Sequence, residues 1–146
     1  MCEKISNNAY DEIIDRLFIG SATALRDSDN FDLIVNCTPD ILIKDPNKTI
    51  RIPIKDNQDE CNKLLQFLEE MDVLEKINTA INNNNKVLVH CYAGQQRSCA
   101  VVACYLIKYN NMNPYTAVNY IKMKRRIAFF GEINFIAAII NFFYTL

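Results

Sequence analysis

The sequence predicts an α/β layered domain. Short apolar runs in its first half give way to segments whose apolar residues recur at three- and four-residue steps, and the last third is helical in pattern throughout. The run Val87-Leu88-Val89 is continuous rather than alternating, as in a strand at the buried centre of a partly parallel sheet. With 146 residues, half of them apolar, the chain has one domain's length and can bury roughly two thirds of its unfolded surface.

Leu17-Phe18-Ile19-Gly20 reads as a first strand closed by a turn. Residues 32–36 read as a second that ends at Cys37-Thr38-Pro39, and 50–54 alternate as a third. Over residues 64–81, Leu64, Phe67, Leu68, Met71, Leu74, Ile77 and Ile81 share one helical stripe, which Asn82 to Asn85 stop. After the central strand, helices are expected over 98–109, over 114–124 with Pro114 in its first turn and Asn113 as cap, and over 132–144. The final apolar run spans about 14 residues and is broken by Asn134 and Asn141. A bilayer takes ~20 residues, so a core-facing helix is expected.

A net charge of −1 gives no electrostatic case for nucleic acid or an anionic membrane as partner. The polar start Met1-Cys2-Glu3-Lys4 is not a signal segment, so a reducing, cytoplasmic compartment is expected, with thiols rather than disulfides. Cys2, Cys61, Cys99 and Cys104 have the ordinary reading of a terminus or small buried hydrophobes. Eighteen asparagines against three glycines suggest an AT-rich coding genome, as in a large DNA virus or a protist.

Chemistry is written around one cysteine. His90-Cys91-Tyr92-Ala93-Gly94-Gln95-Gln96-Arg97-Ser98 joins the central strand to a helix. A nucleophile and an arginine six positions apart, with backbone amides between them and a helix N-terminus behind, surround one tetrahedral anion. A chance match to the five fixed positions of HCxxGxxRS is on the order of one in ten thousand or less for a chain this long. The surrounding donors favour the Cys91 thiolate. Arg97 supplies a two-pronged fork for phosphoryl oxygens, which lysine could not replace. Ser98 can donate to the sulfur when it leaves, the amides of Tyr92, Ala93, Gly94, Gln95 and Gln96 bind phosphate, and Gly94 permits the turn that aims them inward. His90, the only histidine, is expected to orient the loop rather than act as base, because an ionised thiol needs none. With no second histidine and no CxxC, no metal and no cofactor are expected.

These residues resemble the dual-specificity branch of the cysteine-based protein tyrosine phosphatases, a small atypical or viral-type member. The similarity extends to Asp15-Arg16-Leu17-Phe18-Ile19-Gly20 as the opening strand, to Ile52-Pro53-Ile54-Lys55-Asp56 as the strand and acid loop, and to residues 117–135 as closing helices. The resemblance implies a three-layer cysteine-phosphatase fold, with a central, mostly parallel sheet of four to five strands flanked by helices. Residues 1–9 would be a short extension and 10–146 the catalytic domain, a monomer by default, with an N-terminal exchange between protomers as the alternative. It also implies metal-free hydrolysis of phosphoproteins through a phosphocysteine.

The leaving oxygen needs a proton from elsewhere. Asp56 is the first choice, following the strand as in the family pattern, and Asp59 and Glu60 compete from the same polar loop. Cys37 ends a strand parallel to the catalytic one, and some relatives carry a cysteine there that pairs with the nucleophile on oxidation; the other reading is a simply buried thiol. Where relatives often have a loop-supporting asparagine, Glu132 is expected here, capping the last helix. Lys122, Lys124, Arg125 and Arg126 form either a basic rim to the site or an ordinary solvated face. The leading function is a phosphatase of phosphotyrosine and of phosphoserine or phosphothreonine. The competitors are a phosphatase of phosphoinositides or RNA 5′ phosphates, disfavoured by the neutral residues at 92, 93, 95 and 96, and a phospho-binding pseudophosphatase, which would not need the thiolate.

Overall fold

The computed structural model describes residues 8–146; Cys2 and most of the short N-terminal extension lie outside them. Strands β1 (Tyr10–Ile14) and β2 (Leu17–Gly20) form a hairpin whose tight turn sets Arg16 at φ 69°. Strands β3 (Leu33–Asn36), β4 (Thr49–Arg51) and β5 (Val87–His90) complete a five-stranded sheet in the order β1-β2-β5-β3-β4. Only the β1–β2 pair is antiparallel. β5 lies at the centre with all four residues buried, as its unbroken apolar run implied.

The period-two geometry of the strands divides the core between two faces. Leu17, Ile19, Val35, Val87 and Val89 join the main core with the helices, whereas Leu88 and Ile34 join a smaller cluster with Ala24 and Phe31. The helical layer consists of α1 (Cys61–Glu70), α2 (Val73–Asn82), α3 (Arg97–Tyr109), α4 (Pro114–Lys124) and α5 (Ile136–Thr145). The almost wholly buried α3 packs on β5, α2, α4 and α5. A 3-10 segment, Ala22–Asn30, supplies the third layer on the smaller face. No helix among the described residues is long and apolar enough to cross a membrane.

Four expectations are corrected. The helix predicted over 64–81 is two helices, because Asp72 adopts φ 50°, a left-handed conformation that aspartate tolerates. The stripe runs through the break because Leu64 and Leu68 of α1 and Val73, Leu74, Ile77 and Ile81 of α2 enter the same core. The third strand stops at Arg51 rather than residue 54: Ile52 still bonds Asn36, but Pro53 has no N–H to continue the ladder. β1 was not foreseen, since Asp11 and Glu12 interrupt its apolar alternation and only Ile13 is buried. The last helix begins at Ile136, leaving Glu132 in the preceding loop and not at a cap. Asn113 caps α4 as expected, accepting from the Thr116 N–H at 2.8 Å, and α2 ends at Asn82 with Asn84 at φ 61°.

Candidate active site

Residues 91–96 leave the C-terminal end of β5 and enter α3. Each carbonyl along this path is held from outside the loop. The Cys91 oxygen lies 3.3 Å from His90 Nδ1. The Tyr92 oxygen accepts from Ala22 N at 2.9 Å, the Gln95 oxygen from Phe129 N at 2.6 Å and the Gln96 oxygen from Ala100 N at 2.9 Å. The Ala93 and Gly94 oxygens accept from Arg125, at 3.4 Å from Nη2 and 2.9 Å from Nε. Peptide units are planar and trans, so a carbonyl turned outward turns the next residue's N–H inward. Among the described residues, none accepts from the N–H groups of Tyr92 to Gln96.

Gly94 makes this path possible. It sits at φ 67°, and a Cβ there would lie 2.6 Å from Arg125 Nη2 and 2.7 Å from the Gly20 carbonyl. The loop is therefore closed to any side chain at that position both sterically and conformationally.

Cys91 is buried, with its sulfur 3.2 Å from the Ser98 hydroxyl and its N–H donating to Gly20 O at 3.3 Å. Arg97 is also buried and donates from Nη1 to Ile54 O at 3.0 Å, while its Nε has no partner among the described residues. That bond ties the segment before Asp56 to the phosphate-loop arginine. Asp56 itself is exposed, and its Oδ1 accepts from Asn134 Nδ2 at 3.0 Å. Asp59 is exposed in a 3-10 turn, Gln58–Glu60, whose entry is capped by Asn57. Glu60 is not a free acid: Oε1 accepts from Lys55 N at 3.0 Å and Oε2 pairs with Lys63 at 3.5 Å. These partners, the Lys55 N–H first, hold its carboxyl below the usual carboxylate value.

His90 is fully buried. Because a carbonyl only accepts, its bond to Cys91 O places the proton on Nδ1, and Nε2 is left buried without a partner among the described residues. Burial holds the imidazole below its ordinary value; the bond to Cys91 opposes this, and Arg51 and Arg97 add to it. Cys37 lies one residue beyond the Asn36–His90 pair of parallel strands, with its N–H on His90 O at 2.8 Å. Burial first, then Cys91, pushes its thiol up.

The structure brings together every residue named around Cys91 and corrects two readings. Arg125 belongs to no rim: at 1% exposure it lies behind the loop, where Nη1 also pairs with Asp11 Oδ2 and bonds Asn8 O, each at 2.8–2.9 Å. Lys122 and Lys124 are exposed. Glu132 contributes its backbone, accepting from Gln96 Nε2 at 2.8 Å, and the asparagine that meets the site is Asn134. Nothing distinguished Asn134 among eighteen asparagines, and Arg125 was masked by its basic neighbours.

Amides without acceptors among the described residues, a buried guanidinium and a buried sulfur on one loop fit a small tetrahedral oxyanion. Fold and loop thus define a class, the cysteine-based phosphatases. A family model for the dual specificity phosphatase catalytic domain matches residues 17–144. The chain is 34% identical over 123 residues to the 123R protein of Invertebrate iridescent virus 6, covering 81% of each. It is 33% identical over 127 residues to the tyrosine-protein phosphatase yvh1 of Schizosaccharomyces pombe, covering 82% of this chain and 37% of that one. The fold is that of human DUSP28, with a TM-score of 0.82 at 21% identity over 98% of both chains. The chain belongs to the dual-specificity phosphatase catalytic-domain family and is a cysteine-based protein phosphatase.

Two predictions follow from this geometry. The unfolded imidazole titrates near about 6.5, above the buried one, so the His90 contribution to stability is complete above that pH and is lost as pH falls below it. Stability to urea should therefore fall as pH drops below about 6.5, and that fall should be flattened in His90→Asn; an unchanged pH dependence in the variant would contradict the assignment. Arg125→Met strands Asp11 and three carbonyls, and should cost about 3–5 kcal/mol in the same assay.

Proposed function

We propose that residues 10–146 hydrolyse phosphotyrosine, and phosphoserine or phosphothreonine, in protein substrates through a phosphocysteine on Cys91, with no metal ion. The observation that carries this reading is the set of six outward-held carbonyls, which turns the intervening amides to the inner side of the loop that begins at Cys91. Protein substrates are supported by the family and by yvh1, itself named a tyrosine-protein phosphatase.

In the proposed cycle, loop amides and Arg97 bind the three non-bridging phosphoryl oxygens, and the charge these donors meet grows as the transition state develops. The Cys91 thiolate attacks phosphorus in line, the bond to the ester oxygen breaks, and Asp56 gives that oxygen its proton. Water then attacks the phosphocysteine, Asp56 takes the water's proton, and the sulfur departs as a thiolate that the Ser98 hydroxyl receives from 3.2 Å. The balance is one phosphomonoester and one water to one alcohol and one phosphate. His90 orients the loop through Cys91 O. A reducing, cytoplasmic compartment and a monomeric state complete the reading, because the reaction needs Cys91 unoxidised and one chain supplies every group named.

Cys37 is proposed as the redox partner of Cys91. Residues facing each other on neighbouring parallel strands have Cα atoms roughly 4.8 Å apart, within the span a disulfide bridges. Such a bond would shield the sulfur from over-oxidation.

Hydrolysis of phenyl phosphate, whose weakly acidic phenol leaves only with a proton, across pH 5 to 8 in EDTA tests the mechanism. Cys91→Ser should abolish activity, and Asp56→Asn should slow it by about 10²–10⁴ and flatten the alkaline side of the profile. A wild type that binds phosphopeptide without turning it over would replace this reading with a binding module. Peroxide treatment followed by peptide mapping should recover a Cys37–Cys91 disulfide; sulfinylated Cys91 beside reduced Cys37 would remove the redox proposal.

A further inference from the structure

Asn134 lies where three segments meet, and three of its polar groups each face a different one. Its side-chain Nδ2 donates to Asp56 Oδ1 at 3.0 Å, its backbone N–H donates to Gln96 Oε1 at 3.0 Å, and its carbonyl receives Cys61 Sγ at 3.7 Å. Gln96 returns two bonds to the same loop, from Nε2 to Phe130 O at 3.2 Å and to Glu132 O at 2.8 Å. Gln96 is buried and is the last residue before Arg97. Its side chain therefore turns away from the anion site and is spent wholly on residues 130–134.

We infer that Asn134 is a positioning residue for the acid, held by Gln96 so that Asp56 and the phosphate loop keep a fixed geometry. The inference rests on the reading of Asp56 as the proton donor. A carboxylic acid carries its proton on one oxygen and accepts on the other. An amide N–H on Oδ1 makes Oδ1 the acceptor and leaves the proton to Oδ2, the oxygen free to face the leaving group. The same bond holds the carboxylate after transfer, when Oδ2 must receive a proton from water. Because Gln96 sits in the loop that grips phosphate, acid and anion are located by one chain of bonds, Gln96 to Asn134 to Asp56. Asp56 is exposed, and among the described residues this is the one hydrogen bond its carboxyl makes.

The leaving group supplies the test. An ester of a strongly acidic phenol departs without a proton, whereas phosphotyrosine needs one. Asn134→Ala should lower kcat about tenfold on a phosphotyrosine peptide, the size of one lost hydrogen bond, and by less than about twofold on the activated aryl phosphate. Asn134→Asp, nearly the same shape but without the donor, should behave likewise. In an Asp56→Asn background, Asn134→Ala should cost nothing further. Equal losses on both substrates, no loss on either, or a full further loss without Asp56 would each overturn the inference while leaving the acid assignment intact. An Asp56→Asn enzyme indifferent to the leaving group would overturn the acid assignment, and this inference with it.

Discussion

An amide that faces an anion has, on the same rigid plane, a carbonyl of the preceding residue that faces away, and a buried carbonyl needs a donor. Six consecutive peptide planes around Cys91 meet that requirement at once. The donors come from His90, Ala22, Arg125, Phe129 and Ala100, which lie on β5, the 3-10 segment, the end of α4, the loop before α5, and α3. Leaving one such carbonyl unpaired costs about 1–3 kcal/mol. The loop can hold its shape only where the whole fold surrounds it.

The arrangement explains why β1, an edge strand with one buried residue, belongs to the domain. Its Asp11 neutralises Arg125, and Asn8 O takes another of the guanidinium's N–H groups. A buried ion pair adds little net stability by itself, but removing one partner is costly. The chain uses that asymmetry: the cation is kept because its fork is the one side chain that satisfies two successive loop carbonyls, and the carboxylate is kept because the cation is there.

The loop, β5 and α3 were legible in the sequence because their chemistry depends on side chains: Cys91, Gly94, Arg97, Ser98 and an unbroken apolar strand. The supports behind the loop were less so. Ala22 and Phe129 act through backbone N–H groups, which leave no trace in residue type. Arg125 was read with Lys122 and Lys124, since spacing alone cannot separate the one buried position in a basic cluster from its exposed neighbours. The break at Asp72 escaped because no glycine or proline marks it and the apolar stripe continues across it. Asn134 escaped because its role arises from contacts with residues 38 and 78 positions away.

Burial keeps two of the sulfurs near Cys91 protonated. Cys37, Cys91 and Cys99 are all buried within mutual electrostatic reach, and burial above all pushes the Cys37 and Cys99 thiols up. Cys99 donates to Gly94 O at 3.5 Å and Cys37 to Val35 O at 4.0 Å; Arg125, the Phe129 N–H and Ser98 pull the Cys99 thiol down, and Arg97 the Cys37 thiol, without offsetting burial. The Cys91 sulfur lies 3.2 Å from the Ser98 hydroxyl. A thiolate at Cys91 further disfavours ionisation of its two neighbours by repulsion, and their neutrality spares it a competing negative charge. In the proposed cycle Cys91 is thus the sulfur that reacts, and Cys37 and Cys99 stand beside it as neutral thiols.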